Sequence, residues 1–364
     1  MEFVLSELSE QVVTARAAKR SLIIRGGGTR LFYGEPVPDD DTVGRLDLSA
    51  YHGVVGYEPS ELVLTARAGT PLADIESLLA EQEQMLAFEP PRFGAAGTLG
   101  GCVAAGLSGP RRMAAGALAD FVLGARLLNA DGNVLRFGGE VMKNVAGYDV
   151  SRLLAGSLGV LGALVEVSIK VVPRPRSEAT RALELDEADA LRQCLRWRSR
   201  PIPVSATAWV PGEAAGAGRL LVRLSGNESA VRQGQEAIGG DAVADDEAQA
   251  FWLGLRDQTH AFFRQRPLWR LSLPPRAPAL DLGPTLHEWG GGLRWLAGEQ
   301  DAEALRARVQ ALGGSACLYH RGGVSRDVAT FHPLAAGVMQ IHRRLKQEFD
   351  PSSVFNPRRL VPEF

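Results

Sequence analysis

The sequence predicts an α+β protein of two lobes closed by a C-terminal helix, and three observations carry that expectation. Near the N-terminus a helix, a short strand and a glycine loop follow one another; between 121 and 171 a hairpin and an alternating strand call for antiparallel pairing; beyond 175 strands and helices mix without a regular strand–helix repeat. The 364 residues are 45% hydrophobic and 23% charged, which supplies a sizeable core at a length that favours two domains.

Leu5, Leu8, Val12 and Ala15 recur at helical spacing across residues 5–19, and Ser21-Leu22-Ile23-Ile24 reads as a short buried strand running into Arg25-Gly26-Gly27-Gly28-Thr29. A second helix is expected from Thr70 as N-cap and Pro71 at the first helical position, with Asp74 near the positive end. Leu72, Ile75, Leu78 and Leu79 give it an apolar face, and it should end near Gln84. Residues 121–128 and 134–137 form a hairpin around Asp131-Gly132-Asn133, which tolerates positive φ. Val165, Val167, Ile169 and Val171 alternate with Glu166, Ser168 and Lys170, giving a half-buried strand that Pro173 and Pro175 stop.

The first domain therefore spans 1–175. Residues 176–333 read as a smaller α+β lobe: strand 182–185, helix 187–199, strands 204–210 and 219–224, and helix 227–238. Residues 240–295 show no clear period, and helix 301–312 and strand 315–320 follow. The segment 334–364 is a helix to 349, with Val338, Ile341 and Leu345 facing inward, and a tail expected to pack back on the first domain.

Composition narrows the function. The 40 basic and 42 acidic side chains are dispersed and leave a net charge of -2, so no polybasic run calls for a nucleic-acid partner. Cys102, Cys194 and Cys317 lie far apart without C-x-x-C spacing, which argues against a disulfide framework, a zinc site or an iron–sulfur cluster. No leader and no apolar run of about 20 residues is seen. The expected location is cytoplasmic, peripheral to the inner membrane at most through partners. Glycine supplies 41 residues, an excess over the usual ~7%.

Those glycines fall in three clusters. Arg25 to Thr29 follows a strand and can form a nest of converging N–H groups for an anion, although tight turns use the same residues. It matches neither a P-loop nor G-x-G-x-x-G. Ala96-Gly97-Thr98-Leu99-Gly100-Gly101 with Ala104-Ala105-Gly106 has Thr98 as a helix cap whose open N–H groups would face an anion; close helix packing is the bland alternative. Gly156-Ser157-Leu158-Gly159-Val160-Leu161-Gly162 again leaves backbone to line a pocket. Three clusters suit a large, flat, doubly phosphorylated cofactor.

With Lys143-Asn144-Val145-Ala146-Gly147-Tyr148-Asp149, these segments resemble the FAD-binding module of the vanillyl-alcohol oxidase and p-cresol methylhydroxylase family over roughly residues 15–175. Adding Phe349-Asp350-Pro351 and Phe355-Asn356-Pro357, the whole chain resembles the FAD-binding subunits of the bacterial multi-subunit glycolate oxidases. The resemblance implies a two-lobed FAD-binding domain followed by a cap lobe. It implies that Gly26, Gly27, Gly28, Thr29, Thr98, Gly100 and Gly101 contact the pyrophosphate and that Gly159 and Val160 approach the adenine and flavin side, with Arg25, Gly97, Gly106 and Gly156 completing the cofactor set. It also implies oxidation of a small 2-hydroxy acid, glycolate to glyoxylate, beside a second flavin subunit and an iron–sulfur subunit. The first loop holds no histidine, and His52 lies 24 residues after Gly28, so FAD should be non-covalent.

Catalytic residues are not assigned. Catalytic relatives carry a histidine-rich metal motif, whereas the six histidines here lack its spacing, and no metal site is expected. His320-Arg321 could act as base and carboxylate clamp or simply end a strand; Asp257 and His260 read as a surface pair; Lys143 and Tyr148 could reach a flavin or only fix a loop. Trp197, Trp209, Trp252, Trp269, Trp289 and Trp295 could build the second lobe's core or meet a partner. A self-sufficient FAD-dependent D-lactate or glycolate dehydrogenase and a non-catalytic structural subunit stay open beside the leading reading.

Overall fold

A computed structural model describes residues 1–37, 43–139, 149–212 and 217–363. In chain order the first part comprises α1 (Glu2–Ala17), β1 (Leu22–Arg25), β2 (Gly44–Asp47), β3 (Val54–Glu58), β4 (Val63–Arg67), α2 (Leu72–Ala80), β5 (Gln84–Met85), α3 (Leu99–Ala105), α4 (Arg112–Ala115), β6 (Val122–Leu128), β7 (Val134–Gly138), α5 (Val150–Leu154), β8 (Ala163–Lys170) and β9 (Val172–Pro173). The second adds β10 (Ser177–Glu184), α6 (Glu187–Arg198), β11 (Val204–Pro211), β12 (Gly218–Gly226), α7 (Glu228–Ile238), β13 (Asp241–Ala242), α8 (Asp245–Arg256), β14 (Leu268–Ser272), β15 (Thr285–Glu288), β16 (Leu293–Ala297), α9 (Ala302–Ala311), β17 (Ser315–His320) and α10 (Ala336–Phe349).

β1 and β2 pair in parallel, whereas an antiparallel sheet runs β3-β4-β8-β6-β7 and an eight-stranded antiparallel sheet runs β13-β10-β12-β11-β15-β16-β14-β17. The hairpin expected at 121–137 is β6–β7, with Leu128 opposite Val134. β8 lies in the middle of its sheet rather than half in water: Ser168, expected outward, is buried and shares a 2.8 Å hydrogen bond with Thr65.

The helices that sequence places best start on short polar caps. Asp186, Asn227 and Asp301 each accept the N–H three residues on, at 2.7, 2.8 and 2.8 Å, beginning α6, α7 and α9. Thr70 does not cap α2: Pro71 holds the cap position, and the Thr70 hydroxyl instead accepts the Gly53 N–H at 2.9 Å. That helix ends at Ala80, and Gln84 belongs to β5. The stretch without a period contains α8 and strands β14 to β16. β15 and β16 are buried on both faces, so they show no alternation to read.

All six tryptophans are buried in the second part's clusters, which assigns them to its core. The three thiols are buried too, and burial pushes Cys102 and Cys194 up to about 11 and Cys317 to about 12, so all stay protonated near neutrality.

Polar bonds join the two parts. Glu89 accepts the Arg111 N–H at 2.8 Å and an Arg223 Nη at 2.9 Å, and Arg111 continues to Glu178 at 2.5 Å. Burial pushes the Glu89 carboxyl up, but Arg223 and Arg111 outweigh it and hold it below the usual carboxylate range. The Trp289 indole N–H donates to the Gly109 carbonyl at 3.0 Å.

The C-terminal segment meets the first part through Val354 and Phe355, which join its core, and through buried polar atoms. Val338 and Ile341 are 43% and 58% exposed, so of the face expected of α10 only Leu345 packs on the core. Its buried residue is Lys346, whose ammonium donates to Val160 O at 2.8 Å, Asp350 Oδ2 at 2.7 Å and Phe355 O at 3.1 Å. Asp350 also accepts the N–H groups of Val354 and Phe355 at 2.9 and 2.8 Å. The tail then lies parallel to β1: Leu22 N–H donates to Val354 O at 2.6 Å and Asn356 N–H to Leu22 O at 2.9 Å.

Asp350→Ala strands a buried ammonium and frees two buried N–H groups. It is expected to cost about 3–5 kcal/mol, read as a lower urea midpoint; an unchanged midpoint would show that the tail is not held by this pair.

Candidate functional site

β1 ends where its chain must turn sharply, and glycine makes the turn possible. A Cβ on Gly27 would lie 1.5 Å from the Ala96 carbonyl oxygen, and one on Gly26 would lie 2.5 Å from Thr98 Oγ1. Only backbone fits between this loop and the segment leading into α3. Among the described residues, no protein acceptor takes the N–H groups of Gly26, Gly27, Gly28 or Thr29, so the loop presents a row of unspent donors.

These donors open on a groove at the end of β1. Arg25 to Leu31 form one wall; Thr98, Gly100, Gly101, Ala104 and Ala105 another; Leu158, Gly159, Gly162 and Leu164 a third; Asn356 and Arg359 close the end. Arg25, Arg30 and Arg359 line it and no carboxylate does, so the groove favours an anion.

The expected residues divide. Arg25, Gly26, Gly27, Gly28, Thr29, Thr98, Gly100, Gly101 and Gly159 line the groove, whereas Gly97, Gly106, Gly156 and Val160 do not. Gly97 lets the chain pass the Arg92 carbonyl, which its Cβ would approach to 2.4 Å. Gly106 ends α3 at φ 65° and packs on Gly156, whose Cα would lie 2.8 Å from a Cβ there. Val160 is buried and gives its carbonyl to Lys346.

Thr98 does cap α3, accepting the Gly101 N–H at 3.3 Å. The helix start is nonetheless not open to an anion as expected. Leu99 N–H already donates to Thr70 O at 2.9 Å and Gly100 N–H to Ala68 O at 2.8 Å. The free donors belong to the first loop.

Sequence reasoning missed the groove's closing residues. Asn356 Oδ1 accepts the Ile24 N–H at 2.7 Å and its amide donates to Leu158 O at 2.6 Å, joining the strand before the first loop to the third cluster. Arg359 donates to the carbonyls of Tyr33 at 2.6 Å, Leu31 at 3.2 Å and Glu35, which fixes the path after the glycines. Its burial pulls the guanidinium down to about 10, against the opposing pull of Glu35. The one sequence signal was the Phe355-Asn356-Pro357 ending.

The other candidates are mostly committed elsewhere. Arg321 donates to Ser325 O at 2.5 Å, Val328 O at 2.8 Å and Thr330 Oγ1 at 3.0 Å, and pairs with Glu35 at 3.6 Å, so it braces its own loop and is not a free carboxylate clamp. His320 stacks on Phe32 at 4.3 Å; burial, helped by Arg266, lowers it to about 4, and it stays neutral near pH 7. Asp257 and His260 do not pair: Asp257 accepts from Arg92 N–H at 3.0 Å and from Arg256, and His260 Nδ1 accepts the Phe262 N–H at 3.3 Å. Lys143 and Tyr148 lie outside the described residues.

Comparison with known proteins decides the family. The chain is 43% identical to the glycolate oxidase subunit GlcE of Escherichia coli over 358 residues, 98% of this chain and 97% of that one. The chain belongs to the GlcE family of glycolate oxidase subunits. A family model described as an FAD binding domain matches residues 5–138, the stretch carrying the first two glycine clusters. The glycolate oxidase subunit GlcD of Bacillus subtilis is 31% identical over 188 residues, 51% of this chain and 39% of GlcD. In fold, the chain matches a structure of alkyldihydroxyacetonephosphate synthase with a TM-score of 0.67 at 15% identity, over 97% of this chain and 74% of that one. Among the described residues no group of three or more histidine, cysteine or acidic side chains is placed to hold a metal, and no helix is long and apolar enough to cross a membrane.

The groove fits FAD: unspent amide donors and guanidinium groups suit a pyrophosphate, and Ile23, Ile24, Leu48 and Leu164 offer apolar surface to flat rings. Gly27→Ala forces the loop off the Ala96 carbonyl and is expected to leave only traces of flavin absorbance per purified chain. Gly56→Ala, with nothing within 4 Å of its Cβ, should match the wild type. Because the unfolded His320 takes its proton near 6.5 and the folded one only near 4, stability is lost as pH falls through that window. His320→Gln should flatten this part of the curve in urea melts between pH 4 and 7.

Proposed function

We propose that the chain is the FAD-holding subunit of a multi-subunit glycolate oxidase that converts glycolate to glyoxylate. One observation carries the reading: a groove of unspent N–H donors and guanidinium groups, free of carboxylates, lies where the FAD binding domain matches. The nearly full-length likeness to GlcE supports the substrate, and the partial likeness to GlcD supports a paralogous flavin subunit as partner. An iron–sulfur subunit as electron acceptor completes the proposal, with the assembly in the cytoplasm and touching a membrane only through its partners.

The chain's residues have separable tasks in this reading. The N–H groups of Gly26, Gly27, Gly28 and Thr29 donate to the pyrophosphate, Gly100, Gly101 and Gly159 let the cofactor lie against backbone, and Asn356 and Arg359 hold the walls in register. Bound FAD would supply the acceptor for the two electrons leaving the CH–OH carbon. Neither candidate for covalent attachment faces the groove: the first loop has no histidine, and His52 is exposed. The bracing of Arg321 removes the clamp a self-sufficient dehydrogenase would have used, which favours a subunit that depends on partners.

The purified chain, precipitated with acid, is expected to release all its yellow colour to the supernatant, and anaerobic glycolate should bleach it only after a GlcD-type partner is added. Flavin retained by the pellet would overturn non-covalent binding. Bleaching of the isolated chain would make it a dehydrogenase by itself, and a colourless chain that FAD cannot reconstitute would sink the proposal.

A further inference from the structure

The groove's three guanidinium groups are not equivalent. Arg359 spends its Nη groups on the carbonyls of Leu31, Tyr33 and Glu35, and Arg25 is exposed at the mouth. Arg30 differs from both. It is half-buried, its Nε is sealed from solvent without a partner, and one Nη donates to the Pro91 carbonyl. Nη1 has only the Thr29 hydroxyl at 3.2 Å, and it lies beside the bare backbone of Gly97 and Gly101, 3.4 and 3.8 Å from where their Cβ atoms would stand.

Among the described residues no carboxylate lies within 4 Å of Arg30, although the half-buried Arg92 and Arg256 and the buried Arg111 all have one. A guanidinium enclosed without an ion-pair partner costs free energy; desolvation lowers its pKa and outweighs the opposing pulls, among them that of the more distant Asp257 carboxylate. The guanidinium lies over the Phe93 ring at 5.4 Å and lines the same groove as the four unspent N–H groups. Nη1 and the glycine nest thus converge on one volume, and a doubly charged anion there would meet both.

We propose that Arg30 is the counter-charge for the FAD pyrophosphate, completing with a side chain what the glycine loop begins with backbone. The inference rests on the FAD reading and names the residue within that site that supplies the charge. Arginine suits the task because its guanidinium stays charged when enclosed, and one nitrogen, Nη1, can face the anion while another is held by the Pro91 carbonyl.

The test titrates ADP and FAD separately into the flavin-stripped full chain by calorimetry, for wild type, Arg30→Gln and Arg30→Lys. ADP carries the pyrophosphate without the flavin. Arg30→Gln is expected to weaken both ligands at least about tenfold, with Arg30→Lys recovering most of the loss as a point charge. The ligand-free melting temperature of Arg30→Gln should equal or exceed that of wild type, because an enclosed charge without an ion-pair partner has been removed. A lower melting temperature with unchanged affinities would make Arg30 a structural residue and overturn the proposal. Weakened FAD with unchanged ADP would also overturn it, by moving the contact to the flavin end. Wild type that binds neither ligand would be a failure of the FAD reading itself, distinct from an Arg30→Gln chain that matches a binding-competent wild type.

Discussion

The groove depends on a strand that is not completed by its own neighbourhood. β1 has four residues and pairs with β2 on one side; its other edge would offer N–H and C=O groups to water unless another segment took them. The C-terminal tail takes them, through Val354 and Asn356, and that tail is held in turn by the buried Lys346–Asp350 pair. The glycine loop leaves directly from the end of β1, so its position is inherited from this pairing. The same Asn356 reaches Leu158 and sets the opposite wall, which makes one side chain a gauge for the groove's width.

What could be read from sequence was local. The helices expected at 187–199, 227–238 and 301–312 are present, the Asp131-Gly132-Asn133 turn announced a hairpin, and clustered glycines marked where backbone must come close to something. What could not be read was set by partners distant in sequence. Thr70 has the side chain of a cap but serves Gly53; β15 and β16 lose their alternation because both faces are covered; Leu99 and Gly100 look like open helix N–H groups until the carbonyls of Thr70 and Ala68 are brought to them.

α10 shows the same limit from the other side. The spacing of Val338, Ile341 and Leu345 is that of a buried stripe, yet the helix is anchored through a lysine near its end while its first turns stand largely in solvent. The hydrophobic period reported a face without saying what covers it. Lys346 would have been placed outside by composition alone; three acceptors within 3.1 Å make its burial tolerable.

Asn356 bonds Ile24 across 332 positions, and this separation orders events during synthesis. The glycine loop leaves the ribosome early, but its outer edge stays bare until the chain has been made through Asn356 and Arg359. A nascent or prematurely ended polypeptide therefore carries every glycine of the site and still lacks the frame that spaces them. The closing tail thus brings the second edge of β1 and the spacing of the groove's walls from residues made long after the glycine loop.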